Sequence, residues 1–526
     1  MNRVLSSLIA LLTITGLNAQ HNIPVPKLIV NITVDQLRGD YLQYFSNTFG
    51  ERGFKRLINE GLMYHQVDFG FPNLCESSAI ATIATGAYPY YHGVVADKKY
   101  DVSMRKEVSV VSDNNYLGNY TTDRFSPLVL QCSTLGDELK TATKGTCDVY
   151  SVAPNPEAAI LSVGRYADGA FWLDDYNGTW ATTTFYKKDI PYYIDRFNTT
   201  EAFGVTADKS WIQSQSQYGG FPYSGTRTHF NYPFSRGDNE RFIKIKQTAL
   251  INEQITTLAI RFIEQARLGS RNNPDMLNIT YYAGNYKYAG YTDEYNYEIQ
   301  DIYYRLDKEL ASLLDHIDKK VGMNNVLVVV TSTGYFDSWV NSSTDFPLFG
   351  EFYPNRCTAL LNMYLMATYG QGAWVQSYYN EQIYLNKKLV EDMNLDWAEV
   401  VASAAEFVSQ FSGVQEVTTM GQWLYDDTGR SVDFRRGMNK RMSGDIFIEL
   451  QPGWVIANDD NPTKPRFHRE TGIMTPAIFL GSSIKNQHVY RPVKATEIAP
   501  TLSFVLRIRP PNGTKEKPLQ EFLQKN

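Results

Sequence analysis

Several side chains in this sequence are of types that do chemistry. Asp35 closes the run Leu28-Ile-Val-Asn-Ile-Thr-Val34, and Cys75-Glu76-Ser77-Ser78 places a thiol, a carboxyl and two hydroxyls in a row. A thiol or hydroxyl beside a base or a metal is a nucleophile, and a carboxylate is a metal ligand or a base. The four cysteines, Cys75, Cys132, Cys147 and Cys357, have neither CxxC nor zinc-ligand spacing, which argues against a structural zinc site. They permit three complete disulfide pairings, and sequence does not choose among them. The segment Thr134 to Lys144, between Cys132 and Cys147, reads as a helix that would hold those two apart.

The elements that must position these groups are legible from periodicity. Leu28 to Val34 is β-branched and reads as a buried strand, as do Cys147 to Val152, Met276 to Tyr281 and Asn325 to Val330. Asp40 to Glu60 has helical periodicity and ends at Gly61. Ser77 to Thr85 is a helix of small residues suited to close packing on a sheet. Lys244 to Arg267 is amphipathic, with Ile251, Ile255, Leu258 and Phe262 on one face. Tyr297 to Val321 is a long helix. Ile446 to Leu450 and Ala477 to Leu480 are short apolar strands near the C-terminus. Alternating buried strands and helices predict a mostly parallel central sheet with helices on both faces.

The chain has 526 residues, 43% of them hydrophobic, enough for a large core. A net charge of -6 carries no basic excess, so nucleic acid is not an expected partner. Met1-Asn2-Arg3, the apolar Val4 to Leu17 and Ala19 read as a secretory signal peptide, residues 1–19. No later apolar run is long enough to span a bilayer, so no transmembrane segment is expected in the mature chain. Residues 20–526 read as a single domain with insertions at about 164–233, rich in Trp, Tyr, Gly, Ser and Thr, and at about 337–438.

Five segments occur in an order that resembles a known family. They are Leu28 to Tyr41, with Asp35-Gln-Leu-Arg-Gly-Asp-Tyr41; Gly53 to Gly61; Ala84-Thr-Gly-Ala-Tyr-Pro89-Tyr-Tyr-His92-Gly93; Asp301 to Leu310; and Thr496 to Leu502 with Arg509-Pro-Pro-Asn-Gly513. Together the chain resembles the alkaline phosphatase superfamily, in its type I phosphodiesterase and phosphate-irrepressible alkaline phosphatase-like branch. The resemblance implies an α/β fold: an alkaline phosphatase-like three-layer sandwich with inserted cap regions. It also implies two metal ions, usually zinc, that activate a Thr or Ser nucleophile and clamp the attacking and leaving oxygens.

At the positions the resemblance marks, this sequence departs from the pattern. Asp35 stands at the first ligand position. Counting back from Thr85 puts Glu76 at the nucleophile, and counting forward from Pro72 puts Cys75 there; neither is the expected hydroxyl. Ser77 and Ser78 are adjacent but out of register. Cys75-Glu-Ser-Ser-Ala79 also lacks the Arg of the sulfatase motif. Asp97 replaces an Asn that contacts the phosphoryl group, and Asn155 and Glu157 replace a Lys-x-Arg pair. The stretch Ala283 to Thr292 has neither the Asp nor the His of the family's Asp-x-x-x-His. Thr331-Ser332-Thr333-Gly334 replaces Asp-His-Gly, so Ser332 and Thr333 supply no ligand, and Asp337 reads as an ordinary turn carboxylate. His468 is the candidate for the last ligand. His92 belongs to the His-Gly turn, and His65, His229 and His488 match no ligand position.

The substitutions share a direction. Asp35, Glu76, Asp97 and Glu157 would crowd a pocket that holds cations in the family, repelling phosphate esters and raising their own pKa values. Such a cluster could take a single hard cation such as calcium. No catalytic residue and no metal or other cofactor is therefore expected. The leading expectation is an exported pseudoenzyme, periplasmic or outer-membrane-associated in a bacterium. It would act as a binding or scaffold component with protein partners in the cell envelope, such as an outer-membrane or secretion assembly. The alternative is an active phosphatase, phosphodiesterase or sulfatase with an altered site and zinc. A third reading is a carbohydrate-binding protein that stacks sugars on Phe171-Trp172 to Trp180.

Overall fold

The computed structural model describes residues 24–101, 104, 106–206, 209–214, 229–289, 297–339, 350–425, 429–457, 467–481 and 484–523. The expected signal peptide 1–19 and His21 lie outside the described residues.

A ten-stranded sheet forms the middle layer. Its strands in chain order are β1 (Leu28–Asp35), β2 (Leu62–Tyr64), β3 (Gly118–Asn119), β4 (Val149–Ala153), β5 (Gly169–Leu173), β6 (Trp180–Thr183), β7 (Asp275–Tyr282), β8 (Val326–Ser332), β9 (Ala477–Gly481) and β10 (Gln487–Val489). Across the sheet they run β10-β2-β9-β8-β1-β7-β4-β5-β6-β3. β1 lies parallel between β7 and β8, and only β6 and β9 run against the rest. The expected mostly parallel sheet with helices on both faces is what the chain forms.

Two-residue periodicity sorts β1 between two cores. Leu28, Val30, Ile32 and Val34 point to one face, where the helices α3 (Ala249–Gln265) and α4 (Tyr297–Lys320) pack. The predicted stripe Ile251, Ile255, Leu258 and Phe262 is fully buried there. Burying each such side chain stabilises by roughly 1.5–3 kcal/mol. Ile29 points to the other face, under α1 (Glu76–Thr85) and α2 (Pro156–Val163). On that same face Asn31 donates to Asn278 at 3.0 Å, and the hydroxyls of Thr33 and Thr331 lie 3.3 Å apart, so polar side chains on neighbouring strands meet one another.

Three sequence expectations are corrected. The helix over 40–60 is broken into Gly39–Tyr44, a 3₁₀ turn at Ser46–Thr48 and Phe54–Glu60. Gly53 caps the last piece in a non-helical conformation, and the Asp307 carboxylate on α4 accepts from the N–H groups of Gly50 and Phe54, at 2.8 and 2.7 Å. The stretch 164–233 begins as β5 and β6 of the central sheet, not as a cap. Phe171, Trp172 and Trp180 are core residues with at most 1% exposure, so they offer no stacking platform for sugars. The predicted strand Ile446–Leu450 forms, and it lies outside the central sheet. It joins Val375–Tyr379, Gln382–Leu385 and Val414–Thr419 in a separate four-stranded sheet. That sheet and the helices Pro354–Tyr369 and Trp397–Ser409 enclose their own core around Leu361, Leu365, Val400 and Ile446. Short apolar strands look alike in sequence, and only pairing distinguishes the two sheets.

All four cysteines are buried free thiols. No helix of the described residues is long and apolar enough to cross a membrane.

Candidate functional site

The parallel strands β1, β7 and β8 end side by side, with Asp35 opposite Tyr282 and Val34 opposite Ser332. In parallel α/β sheets the crevice beyond the carboxyl ends is where ligands bind, because the connecting loops open there. The sequence-predicted residues gather at this rim.

Asp35 is 5% exposed, and its Oδ1 accepts from the Thr333 hydroxyl at 2.8 Å. The same hydroxyl oxygen accepts from the Gln36 backbone N–H at 2.9 Å. Burial pushes the Asp35 carboxyl up to about 6; hydrogen bonds from Thr333 and Tyr335 and the charge of Arg469 oppose the rise, and Asp337 adds to it. Ser332 is turned away, donating to the Leu37 carbonyl at 2.9 Å. Gly334 follows at φ 76°, and a Cβ there would meet the Phe69 ring at 2.3 Å, which accounts for the one residue kept from Asp-His-Gly.

Cys75 and Glu76 open α1. Cys75 is its cap, 2% exposed, with Sγ 3.3 Å from the Ser78 hydroxyl, and burial, then the nearby Asp97 carboxylate, pushes its thiol up. Glu76 accepts from Asn155 Nδ2 at 2.9 Å. Burial, then the charges of Asp35 and Asp97, hold its carboxyl well above the usual range, and Glu157 contributes further. Asp97 Oδ1 accepts from the Ser77 N–H at 2.9 Å, inside the first turn of α1. Glu157 accepts from the Ser109 hydroxyl, and burial pushes it up to about 7. Asp35, Asp97 and Glu157 thus lie close enough for their charges to raise Glu76.

Asp337 is not a turn carboxylate. Its side chain is 5% exposed and is gripped by Lys287 Nζ at 2.7 Å and Arg469 Nε at 2.9 Å. Burial alone would raise it; the two cations hold it well below the usual carboxylate range. Arg469 also donates to the Leu74 carbonyl at 3.1 Å and lies over the Tyr335 ring, 4.5 Å from its centroid. Asn285 Nδ2 donates to the Asp337 carbonyl at 2.8 Å, and Gln36 Oε1 accepts from the Asp337 N–H at 3.0 Å. The backbone of His468, the expected last ligand, pairs with Ser338; it is the next residue, Arg469, that enters the site.

Sequence reasoning missed Lys287 and Arg469. The signal was present: Lys287 lies in the stretch Ala283 to Thr292, where the resemblance calls for Asp and His, and Arg469 follows His468, the candidate for the last ligand.

A zinc pair needs carboxylate and imidazole donors around a shared space. The described rim presents Asp35 with one oxygen taken by Thr333, Ser332 turned to a carbonyl, the Asn285 amide facing a carbonyl, and Asp337 held by two cations. These residues do not fit two zinc ions. Among the described residues, no group of three or more His, Cys, Asp or Glu side chains could hold a metal.

The fold and the rim together define an alkaline phosphatase-like α/β sandwich. Residues 29–474 match the type I phosphodiesterase / nucleotide pyrophosphatase family, and the chain belongs to it. It is similar to alkaline phosphatase PafA of Elizabethkingia meningoseptica, at 27% identity over 98% of each chain. It is also similar to a calcium-transporting ATPase of Myroides odoratus, at 28% identity over 96% of each. A crystal structure of wild-type PafA superposes with a TM-score of 0.79 at 26% identity, covering 95% of this chain and 99% of that one.

Proposed function

We propose that this chain is a catalytically silent member of its family, an exported binding or scaffold component of a bacterial cell envelope that works through protein partners. The observation that carries this reading is the hydrogen bond from the Ser77 N–H to Asp97 Oδ1, at 2.9 Å. A helix N-terminus is the fold's natural seat for a phosphoryl oxygen, because its N–H groups have no partner within the helix. Here the protein's own carboxylate takes that seat. An incoming phosphate ester would also face Glu76 and Glu157, with no arginine or lysine at the positions of Asn155 and Glu157 to offset them. Export rests on the apolar run before Ala19, and the cell-envelope setting on export without a membrane-spanning segment.

The names of the relatives favour one second reading, hydrolysis of a phosphate ester. Metal analysis of the purified protein, with assays on a nitrophenyl phosphate, a phosphodiester and a sulfate, decides between them. Absence of turnover with zinc far below one equivalent is expected. Near-stoichiometric zinc with turnover abolished by Asp35→Ala would overturn the proposal. A pull-down from envelope extract that recovers no stoichiometric partner would overturn its binding half.

A further inference from the structure

We propose that the Lys287–Asp337–Arg469 ion bridge replaces the metal ions of the family as the device that balances charge and ties together the carboxyl ends of the central strands. This inference shares the premise of the proposed function that no zinc pair is held here.

A metal pair at such a rim does two things apart from chemistry. It neutralises carboxylates that are costly to bury, and it cross-links loops that come from distant parts of the chain. The bridge does both with side chains. Asp337 is a buried carboxylate in the strand that follows β8, Lys287 and Arg469 both pair with it, and the charge of Arg469 also reaches the buried Asp35 at the end of β1. The cross-link is equally complete. Lys287 comes from the loop after β7, Asp337 from the strand Tyr335–Trp339 that follows β8, and Arg469 from its antiparallel partner Phe467–Thr471. Through the Leu74 carbonyl, Arg469 also holds the segment that leads into α1. Through Gln36 and Asn285, the backbone of Asp337 is fastened to the turns after β1 and β7.

Geometry favours an ion bridge over an ordinary surface pair. The Asp337 carboxylate is almost fully buried, it accepts from both cations, and Arg469 reaches both of its oxygens, at 2.9 and 3.4 Å. Removing one side of such a bridge strands a buried charge, whereas removing both sides does not. That asymmetry makes the inference testable.

The test compares the purified wild-type protein with Lys287→Met/Arg469→Met, with Asp337→Asn, and with all three changes combined, by thermal unfolding with and without zinc or EDTA. The expected results are a loss of roughly 3–6 °C in Tm for Lys287→Met/Arg469→Met, recovery of at least half of it when Asp337→Asn is added, and no shift of the wild type by EDTA. A double substitution as stable as the wild type, or no recovery in the triple variant, would overturn the bridge and leave the proposed function standing. A fall in wild-type Tm with EDTA would overturn it too, and turnover in the zinc-loaded wild type would sink the proposed function separately. Should Lys287→Met/Arg469→Met be insoluble, the single variants Lys287→Met and Arg469→Met, each crossed with Asp337→Asn, give the same coupling, and additive effects would overturn the proposal.

Discussion

Thr333 donates its hydroxyl hydrogen to Asp35 Oδ1 at 2.8 Å, joining the ends of two neighbouring parallel strands at the position where the family carries a metal ligand. The same oxygen accepts from the Gln36 N–H, so one hydroxyl serves two groups in the turn after β1.

Thr333→Val keeps the shape and removes both bonds. It should destabilise the protein by roughly 1–3 kcal/mol, because the buried Asp35 carboxyl and the Gln36 N–H each lose a partner. Urea unfolding checks this, and an unchanged midpoint would show that neither bond contributes. Thr333→Ser, which keeps the hydroxyl, should restore most of the loss.

The rim carboxyls make stability depend on pH. Asp35 is raised from 3.8 to about 6, and Glu157 from 4.5 to about 7. A folded-state pKa above the unfolded one gives stability that is fully present below the unfolded value and lost as pH rises through the folded one. Stability should therefore fall between about pH 4 and about pH 7, by on the order of 2 kcal/mol for Asp35. Asp337 acts oppositely: its depressed pKa stabilises above its ordinary value of 3.8 and is lost at lower pH. Thermal unfolding from pH 4 to pH 8 should show a maximum near its acid end, and Asp35→Asn should flatten the fall towards pH 8. A profile that rises steadily to pH 8 would contradict this account.

The four thiols are buried, and burial pushes Cys357 up to about 12 and Cys75 higher still. The thiolate is the reactive form, and it is scarce at such sites. Iodoacetamide at pH 8 should leave the native protein unlabelled and modify all four cysteines in urea, as read by intact mass. Rapid native labelling at Cys75 would mean that the thiol is open and activated.

Much of the fold is legible in the sequence. The run Leu28 to Val34 and the stripe Ile251, Ile255, Leu258 and Phe262 declare their periods directly, since a buried strand or helix face needs the same apolar spacing wherever it packs. The stretch 40–60 has the period of one helix but does not form one: the Asp307 carboxylate on α4 takes the N–H groups of Gly50 and Phe54 and starts a separate helix there, a contact made across more than two hundred residues. The strand Ile446–Leu450 reads like any other short apolar strand, and only its pairing with Gln382–Leu385 and Val414–Thr419 places it in the separate sheet.

The sequence by itself determined the family of the fold and the departures at Cys75, Glu76, Asp97, Asn155, Glu157, Ser332 and Thr333, because ordered motifs place those positions without coordinates. Only the tertiary structure decided what fills the space the departures leave. Asp337 lies 50 positions from Lys287 and 132 from Arg469, and no local pattern links them. Asp337 and Arg469 meet because the strands Tyr335–Trp339 and Phe467–Thr471 set them opposite each other, and Lys287 joins them from the loop after β7, where a buried carboxylate must find a cation or lose its charge.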